Sequence, residues 1–252
     1  MIALSVNLNK IALIRNSREG NYPDVVAHGR VCLEAGAQGL TVHPRPDQRH
    51  IRPDDVRALA ELCRSREEAE FNVEGNPFAS PLKDYPGLMP LVLETKPDQC
   101  TLVPDSNDQL TSDHGFDLER DGARLEPLIA QLKDANIRVS LFMDPEPSQI
   151  KLAKEVGADR IELYTGPYAE AVKHQSDELE SIFAAHCAAA EQACQLGLGV
   201  NAGHDLNLIN LPRYRTLPGL QEVSIGHALT VDAISMGLEN AVTAYLNCLA
   251  GN

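Results

Sequence analysis

The chain has 252 residues, 43% hydrophobic, 23% charged and only 4% aromatic, with 16 Pro, 17 Gly and no Trp. That length can bury a large core as one barrel-sized domain spanning 1–252, and the composition excludes collagen-like and disordered classes. A formal net charge of −14 argues against a nucleic-acid partner, which would need surplus Lys and Arg. The charge is uneven, because residues 1–52 carry seven Lys/Arg against four Asp/Glu.

In chain order, short runs rich in Val, Ile, Leu or Thr mark strands at residues 2–6, 39–43, 70–73, 99–103, 137–143, 160–164, 199–202 and 221–225. Such runs suit strands buried on both faces. Between them, helical spacing predicts helices at 25–35, 53–63, 86–95, 123–135, 146–156, 177–196 and 229–249. Gly36, Asn136, Gly157 and Gly197 precede strands, as residues that end helices at positive φ do. Pro53 and Pro147 open helices. Eight β/α units predict a closed (β/α)₈ TIM barrel with extra helices. A doubly wound sheet would show a glycine fingerprint after the first strand, where Asn7-Leu8-Asn9-Lys10 reads as a plain loop.

The six cysteines, with no CxxC pair, read as reduced structural thiols of a cytoplasmic protein, Cys187 and Cys194 as two buried positions on one helical face. No run reaches membrane-spanning length, and the N-terminus has no basic leader.

A TIM barrel builds its site from residues at the C-terminal ends of strands. Those positions hold Asn7, Asn9 and Lys10; His43, Arg45 and His50; Glu74; a polar loop at 105–115 that is a candidate lid; His204 and Asp205; and Gly226 and His227. Four of eight histidines therefore share one rim, beside a carboxylate, which suits acid–base chemistry. A single strand-end histidine is more often structural, and only the convergence of four with Glu74 reverses that. Glu74 could instead pair with Arg45, while Glu162 reads as a structural ion pair and Arg49 and Arg52 as solvated surface. Arg45 and His50 form one anion site, and the turn through Ser224, Gly226 and His227 a second. The two imply a pair of phosphorylated substrates or one bisphosphate. No HxH metal pair is present, and Lys10 is the sole Schiff-base candidate, so metal-free acid–base chemistry is expected.

These residues sit in longer matches: Val6-Asn-Leu-Asn-Lys-Ile-Ala12, Arg15-Asn-Ser-Arg18, Gly39-Leu-Thr-Val-His-Pro-Arg45, Arg49-His-Ile51, Phe71-Asn-Val-Glu74, Glu94-Thr-Lys-Pro97, Leu102-Val-Pro104, Val200-Asn-Ala-Gly-His204 and Ile225-Gly-His227. In that order they resemble the pyridoxine 5′-phosphate synthase family over nearly the whole chain. The resemblance implies a TIM barrel assembled as an octamer built from dimers, without metal or organic cofactor. Its implied reaction condenses 1-deoxy-D-xylulose 5-phosphate with 3-amino-2-oxopropyl phosphate to give pyridoxine 5′-phosphate, phosphate and water. It makes His43 and Glu74 proton acceptors and His204 the donor. Arg45, His50 and Thr111, with Asn9 and Lys10 near, would hold the sugar phosphate; Asn7, Arg18, Asp205, Gly226 and His227 would hold the amino-ketone phosphate. Many family members carry Asp-His at Asn9-Lys10 and Gly at Asp205. The competing readings are another phosphosugar isomerase or aldolase on this barrel, or a barrel that binds phosphometabolites without turnover.

Overall fold

The computed structural model describes residues 1–106 and 108–251; residue 107 of the expected lid loop lies outside them. Eight parallel strands close into a barrel in sequence order: β1 (Ala3–Asn7), β2 (Gly39–Val42), β3 (Glu70–Gly75), β4 (Gln99–Leu102), β5 (Arg138–Met143), β6 (Arg160–Tyr164), β7 (Gly199–Gly203) and β8 (Leu220–Ile225). The ring is sealed where β1 pairs with β8, Ser5 opposite Ser224. The helices wrap it: α1 (Asn9–Asn16), α2 (Val25–Glu34), α3 (Pro53–Arg64), α4 (Leu88–Thr95), α5 (Leu118–Asp134), α6 (Pro147–Glu155), α7 (Gly166–Lys173), α8 (Leu179–Gln195), α9 (Leu211–Tyr214), α10 (His227–Met236) and α11 (Leu238–Ala250).

The strands alternate strictly. Leu4, Val6, Leu40, Val42, Phe71, Val73, Val139, Leu141, Ile161, Leu163, Val200 and Val223 face the helices and are at most 1% exposed. Their alternates face the lumen and are mostly polar, Phe142 of β5 being an apolar exception that lines the cavity. Ser5 and Thr41 hydroxyls meet at 2.7 Å, Thr101 donates to Asn72 at 3.0 Å, and the Asn201 amide reaches Gln99 at 3.3 Å. Arg160 donates to Glu222 and Asn201, each at 3.0 Å. The strands are thus apolar on one face only, and the interior holds side chains that must hydrogen-bond or exchange protons.

Local chemistry sets the helix ends. Asp24 caps α2, accepting from the Val26 and Ala27 amides at 2.9 and 3.0 Å. Pro53 opens α3, and the Asp55 carboxylate reaches back to the Arg52 amide at 2.8 Å. Gly36 and Gly157 turn the chain at φ 102° and 92°. Several helices depart from the sequence reading, among them the short α9, which it did not predict. The expected helix 229–249 is two, because Gly237 at φ 82° admits no α-helical continuation. Asn9 and Lys10 lie in the first turn of α1 rather than in a loop, since the Asn7 side chain accepts from the Asn9 amide at 2.9 Å. The short α7 begins at Gly166-Pro167, a Pro-led start that the periodicity did not reveal.

All six cysteines are free thiols. Cys32, Cys63 and Cys100 are buried, but Cys194 is exposed and Cys187 intermediate. The buried stripe of α8 is His186, Ala189, Ala190 and Ala193, one residue out of phase with the expected one. Among the described residues no helix is long and apolar enough to cross a membrane.

Candidate active site

At the C-terminal mouth of the barrel lies a cavity of about 340 Å³, a size suited to small-molecule ligands. Its wall brings together His43, Glu74 and His204 with Asn7, Asn9, Lys10, Arg45, His50, Thr111, Asp205, Gly226 and His227. Each comes from a strand end, a βα loop or a first helical turn. Arg18 is the exception. It is exposed and does not line the cavity, because eight residues of mostly helical chain after Lys10 carry it on the order of 12 Å away.

The proton-transfer groups are tightly buried. His43 Nδ1 stands 3.8 Å from Glu74 Oε2, and its Nε2 stands 3.4 Å from Asp105 Oδ2. Burial, with Arg45 and Arg49 nearby, pushes His43 down to about 3, so near neutrality it is an uncharged proton acceptor. Burial, with the Asp105 and Glu222 carboxylates, pushes Glu74 up to about 8. A carboxyl in that range exchanges protons near neutral pH.

Arg45 is taken by a partner other than Glu74. Its guanidinium pairs with Asp105, and its Nη1 donates to the Ser106 and Gln109 carbonyls at 3.2 Å. Glu74 is held by Ser224 and Asn7, each at 3.5 Å. Arg49 is not plain surface: it lines the mouth and donates to the Gln109 carbonyl at 3.0 Å. Arg52 does stay outside, donating to Asn16 at 2.7 Å. Glu162 is no ion pair either. It lies 4% exposed on the cavity floor beside Thr101 at 3.5 Å, and burial with the Glu74 and Glu222 charges raises its pKa well above the usual range. Asp105, Glu162 and Arg49 are among the residues that the sequence reading left without a place in the site. For Glu162, the alternation Arg160-Ile-Glu-Leu-Tyr164 was the available signal.

Two anion-ready regions flank these groups. One joins Arg45, Arg49, His50 and Lys10. At the other, α10 starts at Gly226-His227, so its N-terminal amides and dipole face the cavity. A Cβ at Gly226 would come within 2.9 Å of the Asn7 Cβ, so only glycine admits this approach.

The loop after β7 is the most strained part of the wall. His204 and Asp205 both have positive φ, 83° and 56°, at about 1–2 kcal/mol each. Thr165 donates to the Gly203 and His204 carbonyls, and Asn210 to the Asp205 carbonyl at 3.0 Å, which fix the turn. His204 Nδ1 lies 2.8 Å from Asp205 Oδ2, and its Nε2 lies 2.7 Å from Thr111 Oγ1. The Thr111 contact ties the 105–115 loop across the mouth.

Residues 4–251 match the family profile described as pyridoxal phosphate biosynthesis protein PdxJ. The chain belongs to this family. It is 58% identical over 250 residues to a pyridoxine 5′-phosphate synthase of Xanthomonas campestris pv. campestris (strain B100), covering 98% of this chain and 96% of that one. A pyridoxine 5′-phosphate synthase of Xylella fastidiosa (strain 9a5c) is 51% identical over 247 residues, covering 98% and 94%. Among solved structures, a mutant tryptophan synthase alpha-subunit from Pyrococcus furiosus superposes with a TM-score of 0.63 at 10% identity, covering 100% of this PdxJ-family chain and 98% of that one. Phosphoribosylanthranilate isomerase from Thermotoga maritima gives 0.56 at 10%, covering 100% of both. At such identities the likeness is one of fold.

Proposed function

We propose that this PdxJ-family chain is a pyridoxine 5′-phosphate synthase. In this reading it condenses 1-deoxy-D-xylulose 5-phosphate with 3-amino-2-oxopropyl phosphate by acid–base catalysis without a metal. The observation that carries the reading is a single cavity in which three proton-transfer groups, His43, Glu74 and His204, lie between two anion-ready regions. The substrate amine attacks the sugar ketone, and the chemistry that follows moves protons on and off carbon, nitrogen and oxygen. His43 and Glu74 accept those protons and His204 supplies one to a departing oxygen. Arg45, His50 and Thr111, with Asn9 and Lys10, hold the sugar phosphate. Asn7, His227 and the amides at Asp205 and Gly226 hold the amino-ketone phosphate. Arg18, which the resemblance groups with these residues, is exposed and does not line the cavity. Because the substrate brings its own amine, no lysine imine is needed, which separates this reading from a Schiff-base aldolase.

Purified protein given both substrates is expected to form pyridoxine 5′-phosphate, detected by chromatography, together with inorganic phosphate. Well-folded protein that forms none would refute the reading. Borohydride trapping of a ketose phosphate on Lys10 would instead favour an aldolase.

The same reading places the protein in the cytoplasm, in keeping with six unbonded thiols, and assembles it as an octamer built from dimers. Exposed Leu13 and Ile14 on α1 and Val231, Ile234 and Met236 on α10 supply apolar surface for such contacts. Light scattering should return about eight times the 27.4 kDa chain mass; a monomer mass would remove the assembly.

A further inference from the structure

We infer that Asp205 is a positioning residue for His204, fixing the tautomer and orientation in which that imidazole delivers a proton. The inference rests on the reading of His204 as the proton donor. Asp205 lies within the second anion-ready region, where its carboxylate would repel a phosphate. Its backbone amide is what a phosphate could use there, and the side chain turns instead to Nδ1 of His204 at 2.8 Å. The pair is preset, because both residues keep positive φ and Asn210 anchors the Asp205 carbonyl.

With Nδ1–H donated to a carboxylate, Nε2 is the nitrogen left to work, and it is the one that faces the 105–115 loop at Thr111, 2.7 Å away. When His204 is charged, Nε2–H points at the Thr111 oxygen or at a substrate oxygen in its place. When that proton has gone to the substrate oxygen, Nε2 accepts from the hydroxyl and Nδ1–H stays on Asp205. One heavy-atom arrangement therefore serves both protonation states. Asp205 is itself held ionised, its pKa lowered by the hydrogen bond to His204, with His227 and Lys10 adding to the effect. On its other sides the Tyr164 ring meets His204 edge-on at 5.3 Å, Thr111 offers a hydroxyl, and His43 and Glu162 lie in the same cavity wall.

The test uses the full-length protein labelled with ¹⁵N-histidine, with Asp205→Gly and Asp205→Glu as variants. Glycine suits a φ of 56°, so the first variant is expected to fold. In substrate-free wild type, the His204 signal, assigned by its absence in His204→Gln, is expected to show a protonated, hydrogen-bonded Nδ1. In Asp205→Gly that signature is lost and kcat falls about tenfold or more while both KM values stay within about twofold. Asp205→Glu restores part of both. An unchanged His204 signal in Asp205→Gly overturns the inference whatever the kinetics. So does a selective rise in KM for the amino-ketone phosphate at unchanged kcat, which would assign the carboxylate to the substrate ammonium. Failure of wild type to form pyridoxine 5′-phosphate would strike the proposed function, and the substrate-free spectrum would still decide this point.

Discussion

Replacing Glu74 with Gln is expected to lower kcat by about 100- to 10,000-fold, the range for loss of an acid–base group, while substrate binding survives. Gln keeps the shape and the contacts to Ser224 and Asn7 but cannot carry a proton between atoms. The wild-type pH profile tests the same assignment. As an acceptor Glu74 must be ionised, and burial with neighbouring carboxylates pushes it up to about 8. The rate constant kcat/KM should therefore rise with pH through about 8 and fall roughly tenfold per unit below it. His43, pushed down to about 3, stays neutral across that range and adds no limb there. A profile flat from pH 6 to 9 would remove Glu74 as an ionised base.

The same substitution should act on stability with a definite sign. A carboxyl raised in the folded state binds its proton more tightly there than in the unfolded chain. Its contribution is fully present below the ordinary value of 4.5 and is lost as pH rises through about 8. Glu74→Gln escapes that loss. Its unfolding free energy, read by denaturant titration, should thus exceed wild type more at pH 9 than at pH 5, by an amount on the order of a few kcal/mol. Loss of activity with a gain in stability marks a strained functional group; loss of both would mark a structural one.

How much of this was legible in sequence follows from what each signal measures. Apolar runs located all eight strands within a residue or two, since burial against the helix layer demands Leu4, Val6, Leu40 and Val42 whatever the function. Reading such runs as buried apolar on both faces hides most of their polar alternates, although the sequence already points Glu162 to the barrel or the helix layer. Ala-Leu-Ser-Val-Asn7 and Arg-Ile-Glu-Leu-Tyr164 have period two, and that period is what fills the lumen with Ser5, Glu162 and Glu222. The rim histidines were legible because strand ends are fixed once strands are. Partner choice was not: Arg45 has Asp105 and Glu74 both within chain reach, and only the packed loop decides for Asp105. Helix starts such as that of α1 rest on a single Asx contact, which leaves no periodic trace.

Arg15→Ala is expected to cost about 3–5 kcal/mol of stability, the range for stripping one partner from a buried ion pair. Arg15 is only 1% exposed although it ends a short surface helix. Its Nη1 and Nη2 reach the two Asp55 oxygens at 2.5 and 2.9 Å, and Nη2 also donates to the His50 carbonyl at 3.0 Å. Asn16 reinforces the same strap, giving its amide to the Arg49 and His50 carbonyls at 3.1 and 2.8 Å. The end of α1 thus holds the 48–50 segment from beneath and with it the imidazole of His50 at the cavity wall. Truncation leaves the Asp55 carboxylate buried without its cation and frees that segment. The fall in stability should therefore come with a higher KM for the sugar phosphate, although Arg15 does not line the cavity. Lysine cannot reproduce the two-pronged contact, so Arg15→Lys should recover only part of either loss. Denaturant unfolding of Arg15→Ala, Asp55→Ala and the double variant would resolve the pair. A double variant costing as much as the two single losses added would show that the residues act independently and would end this account of the strap.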